Sequence, residues 1–268
     1  MSDRIPTPHP LPKKPLVEAI FELRWALQQQ DQQQVDPGFQ ILLGRFYDKV
    51  SADFPEPENL QAALIPEMMT PYIVRNRFRK TKNGWPLVRL GTGILSVNDT
   101  ENYDWSTFKP MLRRAVEILL ETYPQNIAPL TLSQATLRYV DAIPFKVLDD
   151  NKGVLEFLKD YLHTNISIDP LLFDNPSLAD APGALALRLN YPLEKPQGVG
   201  VIAFSSGMKE NLPSLIWENI VISGQQQVPQ TLAAFDSWID EAHAITDRWF
   251  FGLSRGKLLE TFGGNNAL

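Results

Sequence analysis

The segment PLVEAIFELRW, from Pro15 to Trp25, decides the fold because its side chains alternate regularly along the chain. One face carries only apolar residues, which are Val17, Ala19, Phe21, Leu23 and Trp25. The other face is mostly charged and carries Glu18, Ile20, Glu22 and Arg24. A period of two residues is typical of a β-strand that buries one of its faces. The segment is therefore predicted to be a half-buried strand.

The same pattern returns later in the chain as PLTLSQATLRY, from Pro129 to Tyr139. In both segments Pro-Leu comes first and Leu-Arg-aromatic comes last. This echo predicts an internal duplication, with a first half over 15–128 and a second half over 129–262. Arg24 and Arg138 occupy equivalent positions, and we expect them to hold the two halves together through carboxylates such as Asp141.

Composition limits the classes of protein that this chain can belong to. The chain has 268 residues, 44% of them hydrophobic and 21% charged, which is the composition of a globular protein. The absence of cysteine excludes disulfides, thiolate nucleophiles and cysteine-based metal sites. A formal net charge of -6 disfavours sequence-independent binding to a polyanion. No apolar run is long enough to span a membrane, so we expect a cytoplasmic protein without membrane contact and without a cofactor.

The first half begins with a proline-rich stretch. Residues 1–14 are predicted to form an extended arm, and the alternative is a strap that lies on a partner or on a second copy of the chain. The glutamine-rich run over 28–34 is predicted to be a solvent loop. Asp36 is the expected N-cap of a helix that continues to about Val50, with Pro37 at its first position.

Strands and a second helix complete the first half. Turn residues divide 60–97 into short antiparallel strands, and Asn83-Gly84 is the strongest hairpin signal among them. Ser106 is the expected cap of a helix that ends near Tyr123, because Pro110 then falls in the first turn.

The second half repeats this order with changes. A short helix is predicted over 149–163, an irregular excursion over 163–183, and three strands between 184 and 222. Thr231 is expected to cap a long helix, and residues 263–268 are expected to form a loose tail.

Taken together, these elements predict an α+β fold. Each half is strand, helix, three or four antiparallel strands and helix, and the two halves form a curved antiparallel sheet packed on helices. The order is similar to that of TATA-binding-protein-like and helix-grip folds. This similarity concerns the fold and implies nothing about function.

Three segments resemble a known family. PLVEAIFELRW over 15–25, TLRYVDAI over 136–143 and WIDEAHAITDRWF over 238–250 are similar to a sporadically distributed bacterial protein family of unknown function with a numbered placeholder name. The late helix resembles the pattern of that family at Trp238, Asp240, Ala242, His243, Ile245 and Trp249 or Phe250. The resemblance implies no activity, substrate or catalytic residue. The scattered occurrence of the family suggests a mobile or defence-type gene cassette.

An arginine row is the best candidate for an anion or nucleic-acid site. On a strand, Arg75, Arg77 and Arg79 would lie on one face at steps of about 7 Å. Lys82, Arg89 and Trp85 are close in sequence, and the tryptophan could stack on a base. The alternative is a solvated sheet face whose arginines pair with Glu18 and Glu22.

A second candidate site lies on the last long helix. Asp240, His243 and Asp247 are spaced by three and four residues, which places them along one side of a helix. A histidine between carboxylates could hold a divalent metal or act as a general base in a hydrolase. The alternative is the polar side of an amphipathic helix with a structural histidine at the edge of the core.

No complete catalytic motif is present in the sequence. Gly91-Thr92-Gly93 lacks the third glycine of a dinucleotide loop, and leucine follows Gly256-Lys257 where a Walker motif needs serine or threonine. We therefore expect a non-catalytic binding or regulatory protein that acts through contacts with a protein partner or as a homo-oligomer. The alternatives are a nucleic-acid or nucleotide binder and a metal-assisted hydrolase centred on His243.

Overall fold

The computed structural model describes residues 10–100, 102–148, 153–169, 171, 177 and 182–264. The strands are β1 Leu16–Trp25, β2 Gln28–Gln30, β3 Gln33–Val35, β4 Glu56–Asn59, β5 Val74–Arg79, β6 Leu87–Gly91, β7 Ile94–Asp99, β8 Leu132–Pro144, β9 Ala186–Glu194, β10 Gln197–Lys209 and β11 Leu212–Gly224. The α-helices are α1 Phe39–Val50, α2 Trp105–Thr122, α3 Val154–Tyr161, α4 Leu232–Ser254 and α5 Lys257–Thr261.

Nine of these strands form one open antiparallel sheet in the order β4-β5-β6-β7-β1-β8-β11-β10-β9. The sheet is curved and packs on helices, so the predicted α+β class is confirmed. Strands β1 and β8 pair at its centre, where Phe21 lies opposite Leu137. Outward from this pair the order is β7, β6, β5, β4 on one side and β11, β10, β9 on the other.

The helices cover one face of the sheet. On β1, Ala19, Phe21, Leu23 and Trp25 are buried as the sequence predicts, whereas Val17 is 41% exposed. Phe21 contacts Phe235 of α4 edge to face at 5.2 Å between ring centroids. Helices α1, α2 and α4 share one apolar cluster with the central strands. A second cluster joins α3, α5 and the end of α4 to β10 and β11. Burial of these faces is what holds the helices on the sheet.

The helix caps differ in part from the predictions. Thr231 caps α4 as predicted, since its Oγ1 accepts a hydrogen bond from the Ala234 backbone N–H at 3.3 Å. Helix α2 is capped by Asp104 and not by Ser106, because the Asp104 carboxylate accepts the Ser106 backbone N–H at 2.8 Å. Asp36 does not cap α1 directly. Its carboxylate accepts hydrogen bonds from Trp25 Nε1 at 2.7 Å and from the Tyr123 hydroxyl at 2.8 Å, which ties β1 to the end of α2.

Other segments also differ from the predictions. The glutamine run is a small β2–β3 hairpin whose turn residues, Asp31 and Gln32, have φ angles of 47° and 65°. Strands begin only at Val74 within 60–97, because 60–73 forms short 3-10 turns. The Asn83-Gly84 hairpin is confirmed, with β5 and β6 on either side. Residues 170, 172–176 and 178–181 of the predicted excursion over 163–183 lie outside the described residues.

The described part of the N-terminal arm packs on the protein itself. Leu11 is buried against the apolar cluster of α3 and α5, and the Lys13 backbone N–H donates to the Phe262 carbonyl at 3.0 Å. Residues 10–14 therefore do not project as a free arm, while 1–9 and 265–268 lie outside the described residues. Of the helices in the described ranges, none combines the length and hydrophobicity that a membrane crossing requires.

Candidate functional site

The candidate site is a pocket of about 320 Å³ between the helices and the second half of the sheet. Its walls come from the start of α2, the middle of α4, strands β8 and β11, and residues 10–16. Five aromatic side chains line it, which are Tyr103, Trp105, Tyr139, Phe250 and Phe251. A volume of this size lies at the lower end of the range for small-molecule sites. We call this cavity the aromatic pocket.

A continuous chain of hydrogen bonds crosses the aromatic pocket. The hydroxyls of Tyr103 and Tyr139 are 2.8 Å apart, and the Tyr139 hydroxyl is 3.1 Å from His243 Nδ1. On the other side of the ring, His243 Nε2 is 3.3 Å from Asp247 Oδ2. With an ionised Asp247 as the final acceptor, Nε2 carries the proton and Nδ1 accepts from Tyr139. Each group in the chain then donates to the next one.

Packing fixes the histidine in this position. The Trp105 ring stacks on the His243 ring with 3.7 Å between centroids and an interplanar angle of 19°. Burial lowers the pKa of His243 to about 4, although the charge of Asp240 opposes the shift. Burial raises the pKa of Asp247 to about 6 and raises the pKa of both tyrosines. At neutral pH the histidine is therefore uncharged and the tyrosines are phenols.

Asp141 is the most unusual group in the aromatic pocket. It follows Tyr139 by two residues on β8, so both side chains point to the helix-covered face of the sheet. The residue is only 2% exposed, and burial raises the pKa of its carboxyl to about 7 against the opposing charge of Lys209. Among the residues that the structure describes, no donor forms a hydrogen bond with this carboxyl group. In the described ranges its oxygens are not among the fully buried side-chain atoms that lack a partner, so they face the cavity, where the donor of a ligand can reach them.

The N-terminal segment forms one wall of the aromatic pocket. The Pro15 carbonyl accepts the Ala142 backbone N–H at 3.1 Å, which fixes this segment beside β8. The Lys14 ammonium donates to the Tyr103 carbonyl oxygen and lies 5.8 Å from the centre of the Tyr103 ring. Pro10 and Leu11 complete this side.

The structure brings together only two of the three predicted metal ligands. His243 and Asp247 are neighbours in the aromatic pocket, whereas Asp240 forms an ion pair with Lys109 of α2 at 2.7 Å. Within the described ranges, no group of three or more His, Asp or Glu side chains is arranged to hold a metal ion. The metal site stays a prediction.

The predicted arginine row does not form as one surface. Arg75 sits at a bulge in the β5–β6 pairing and is buried, where it donates to the Ala63 and Ile65 carbonyls and to Thr70 Oγ1. Arg77 and Arg79 both bind the Glu58 carboxylate. Glu58 lies on β4, which was not predicted as a strand.

The remaining residues of that candidate site are spread apart. Arg89 binds Glu18 at 3.3 Å, as the alternative of a solvated sheet face predicts, whereas Glu22 binds Arg24. Lys82 is exposed in the hairpin turn. Trp85 is half-buried and lines a separate hollow with Lys80. The anion and nucleic-acid site stays a prediction, on a surface where Glu58 and Glu18 already neutralise part of the charge.

The two equivalent arginines have other partners than those predicted. Arg24 Nε binds Glu22 at 2.6 Å, and Arg138 binds Glu218 of β11. All four side chains lie on the sheet face away from the helices, because strand alternation puts them opposite Phe21 and Leu137. Asp141 lies on the helix-covered face, and so neither arginine reaches it.

Known proteins do not assign a function to this site. A scan against models of protein families found no match to the chain, and a search of curated proteins found no match either. The resemblance to the sporadic bacterial family therefore stays a prediction.

Proposed function

We propose that this chain is a non-catalytic, cytoplasmic binding protein whose ligand site is the aromatic pocket. One observation carries the proposal, which is that the Asp141 carboxyl lines the cavity and accepts no hydrogen bond from any residue that the structure describes. Such a group lowers the stability of the folded chain unless a partner meets it. A ligand that enters the pocket is the partner that the geometry favours.

The rest of the pocket supports binding more than catalysis. Both ring nitrogens of His243 are engaged within the protein, by Tyr139 and by Asp247. The stacked Trp105 ring covers one face of the imidazole. A histidine held in this way fixes the shape of the pocket wall and has no free ring nitrogen to accept a proton from a substrate.

A fragment library screened by ligand-observed NMR tests this function. We expect fragments that bind the wild-type chain to lose binding in Leu16→Trp, where an indole fills part of the pocket. The matched control is Ile41→Trp, an exposed position on α1 that does not line the pocket. Because Leu16→Trp could disturb folding, circular dichroism and a second pocket-filling variant, Leu11→Trp, accompany it. Fragments that bind equally to wild type and to both filled variants would refute the proposal.

Contact with a second copy of the chain is a second candidate function. In the described ranges, helices cover only one face of the sheet, and the other face carries Val199, Val201, Ile220 and Ile222 on neighbouring strands. Of these residues Val199 is 40% exposed, whereas Val201 and Ile220 are buried within the chain, so the surface open to a second copy centres on Val199. Light scattering after gel filtration should give a dimer for wild type and a monomer for Val199→Glu. A wild-type monomer at high concentration excludes self-association and leaves another protein as the partner.

The symmetric strand order also supports the internal duplication that the sequence predicts. We propose that β1 and β8 are equivalent strands of two related units, with β7 and β11 as the next equivalent pair. Membership of a mobile or defence-type cassette stays a proposal that rests on the family resemblance alone.

A further inference from the structure

The ionisable groups of the aromatic pocket are mostly acidic. Asp141 and Asp247 lie on its inner wall and Asp104 lies at the start of α2, while Lys14 is the one ammonium group among the lining residues that the structure describes. That ammonium is already bound to the Tyr103 carbonyl. Lys209 interacts with Asp141 electrostatically, but it alternates onto the opposite sheet face and donates to the Ala142 carbonyl at 3.5 Å. The pocket therefore has a deficit of positive charge.

The walls around these carboxyls are aromatic and apolar. Phe250 and Phe251 of α4 line the cavity together with Leu11 and Leu16. An aromatic ring attracts a cation through its negative face, and an apolar wall favours a ligand with an apolar body. The cavity of about 320 Å³ is large enough for a small organic molecule.

We propose that the aromatic pocket binds a small organic amine, with its protonated nitrogen on the Asp141 carboxylate and its apolar body against Phe250 and Phe251. This inference rests on the proposed function and names the ligand class. A ligand without a hydrogen-bond donor would leave Asp141 buried and unpaired. An anionic ligand would lie beside Asp141 and Asp247, where like charges repel in a site of low dielectric constant.

Isothermal titration with three probes of matched size tests the ligand class. The probes are 2-phenylethylamine, 2-phenylethanol and 3-phenylpropionate, titrated into wild type and into Asp141→Asn. We expect wild type to bind the amine about 10- to 100-fold more tightly than the alcohol, because the amine forms a charge-assisted hydrogen bond. In Asp141→Asn the amine should fall to the affinity of the alcohol, and the affinity of the alcohol should change little.

The outcomes separate the ligand class from the proposed function. If the alcohol or the acid binds as tightly as the amine, or if Asp141→Asn leaves the amine affinity unchanged, the amine class is wrong and the ligand pocket stands. If none of the three probes binds and the fragment library also gives no pocket binder, both proposals fail. Asp48→Asn, at an exposed position of α1, is the matched control and should bind the amine like wild type.

Discussion

Replacing Asp141 by asparagine should stabilise the fold at high pH. Asparagine keeps nearly the same volume and removes the charge that burial disfavours. In the folded chain the pKa of this carboxyl is raised from 3.8 to about 7 by burial, against the opposing charge of Lys209. One pKa unit corresponds to about 1.4 kcal/mol, so the full change corresponds to about 4 kcal/mol at pH 8.

The pH dependence has a definite sign. The folded chain binds this proton more tightly than the unfolded chain, so stability falls as pH rises from 3.8 to about 7. The free-energy cost of burying the ionised carboxylate is absent below pH 3.8 and complete above about pH 7. The amide of asparagine is also buried without a partner, which offsets about 1–2 kcal/mol of the gain. The net increase in the free energy of unfolding at pH 8 is therefore about 2–3 kcal/mol, and no increase is expected near pH 4.

Urea unfolding followed by tryptophan fluorescence measures this difference, and the chain has six tryptophans as probes. Wild type and Asp141→Asn are compared at several pH values between 4 and 8. Asp48→Asn serves as the control, with an expected change below about 0.5 kcal/mol at every pH. The reasoning is refuted if Asp141→Asn is less stable than wild type at pH 8, or if the difference between them does not depend on pH.

Three further predictions concern Tyr139 and His243 in the aromatic pocket and Arg75 at the far side of the sheet. Tyr139→Phe should lower the free energy of unfolding by about 1–3 kcal/mol, because it leaves the Tyr103 hydroxyl and His243 Nδ1 without their shared partner. An unchanged midpoint of urea unfolding would contradict the hydrogen-bond chain. The His243 ring should titrate near pH 4 by NMR, so the free energy of unfolding decreases as the pH falls from 6.5 to about 4. A titration midpoint of the ring above pH 6 would contradict its burial. Arg75→Ala should lower the free energy of unfolding more than Arg77→Ala does, because Arg75 is 6% exposed and donates to three oxygens, whereas Arg77 forms an exposed ion pair. Equal midpoints of urea unfolding for the two variants would contradict this prediction.

Local pattern was enough to predict much of the fold. The alternation from Pro15 to Trp25 predicts β1 and its buried face, because a strand with one wet face must alternate. The Asn83-Gly84 turn predicts the β5–β6 hairpin, since asparagine tolerates the positive φ of a turn, and φ of Asn83 is 59°. Thr231 marks the start of α4 because a threonine hydroxyl can accept a backbone N–H of the first helical turn, as Thr231 does from Ala234.

Contacts between distant segments could not be predicted in the same way. The aromatic pocket joins Tyr103, Tyr139 and His243, which come from three elements, and only the fold brings them together. The sequence did indicate His243 with Asp247, because a spacing of four residues puts both on one side of a helix. From the sequence, Asp141 is expected to link the two halves, whereas its position two residues after Tyr139 indicates that the two side chains share a face of the sheet.

The arginine row differs in geometry from the prediction for a local reason. Strand β4 has the sequence EPEN and is exposed throughout, so it has no apolar alternation to mark it. Its Glu58 then binds Arg77 and Arg79. A bulge after Val74 breaks the alternation that the prediction assumed, and Arg75 is buried as a result.

A crystal structure of the protein grown with 2-phenylethylamine tests most directly whether Asp141 is kept in the aromatic pocket to meet a ligand. We expect the amine nitrogen to lie about 2.8 Å from an Asp141 carboxylate oxygen, with the phenyl ring against Phe250 and Phe251. A pocket without the amine at saturating concentration, and an Asp141 carboxyl that is hydrogen-bonded to a donor of the protein, would contradict the account.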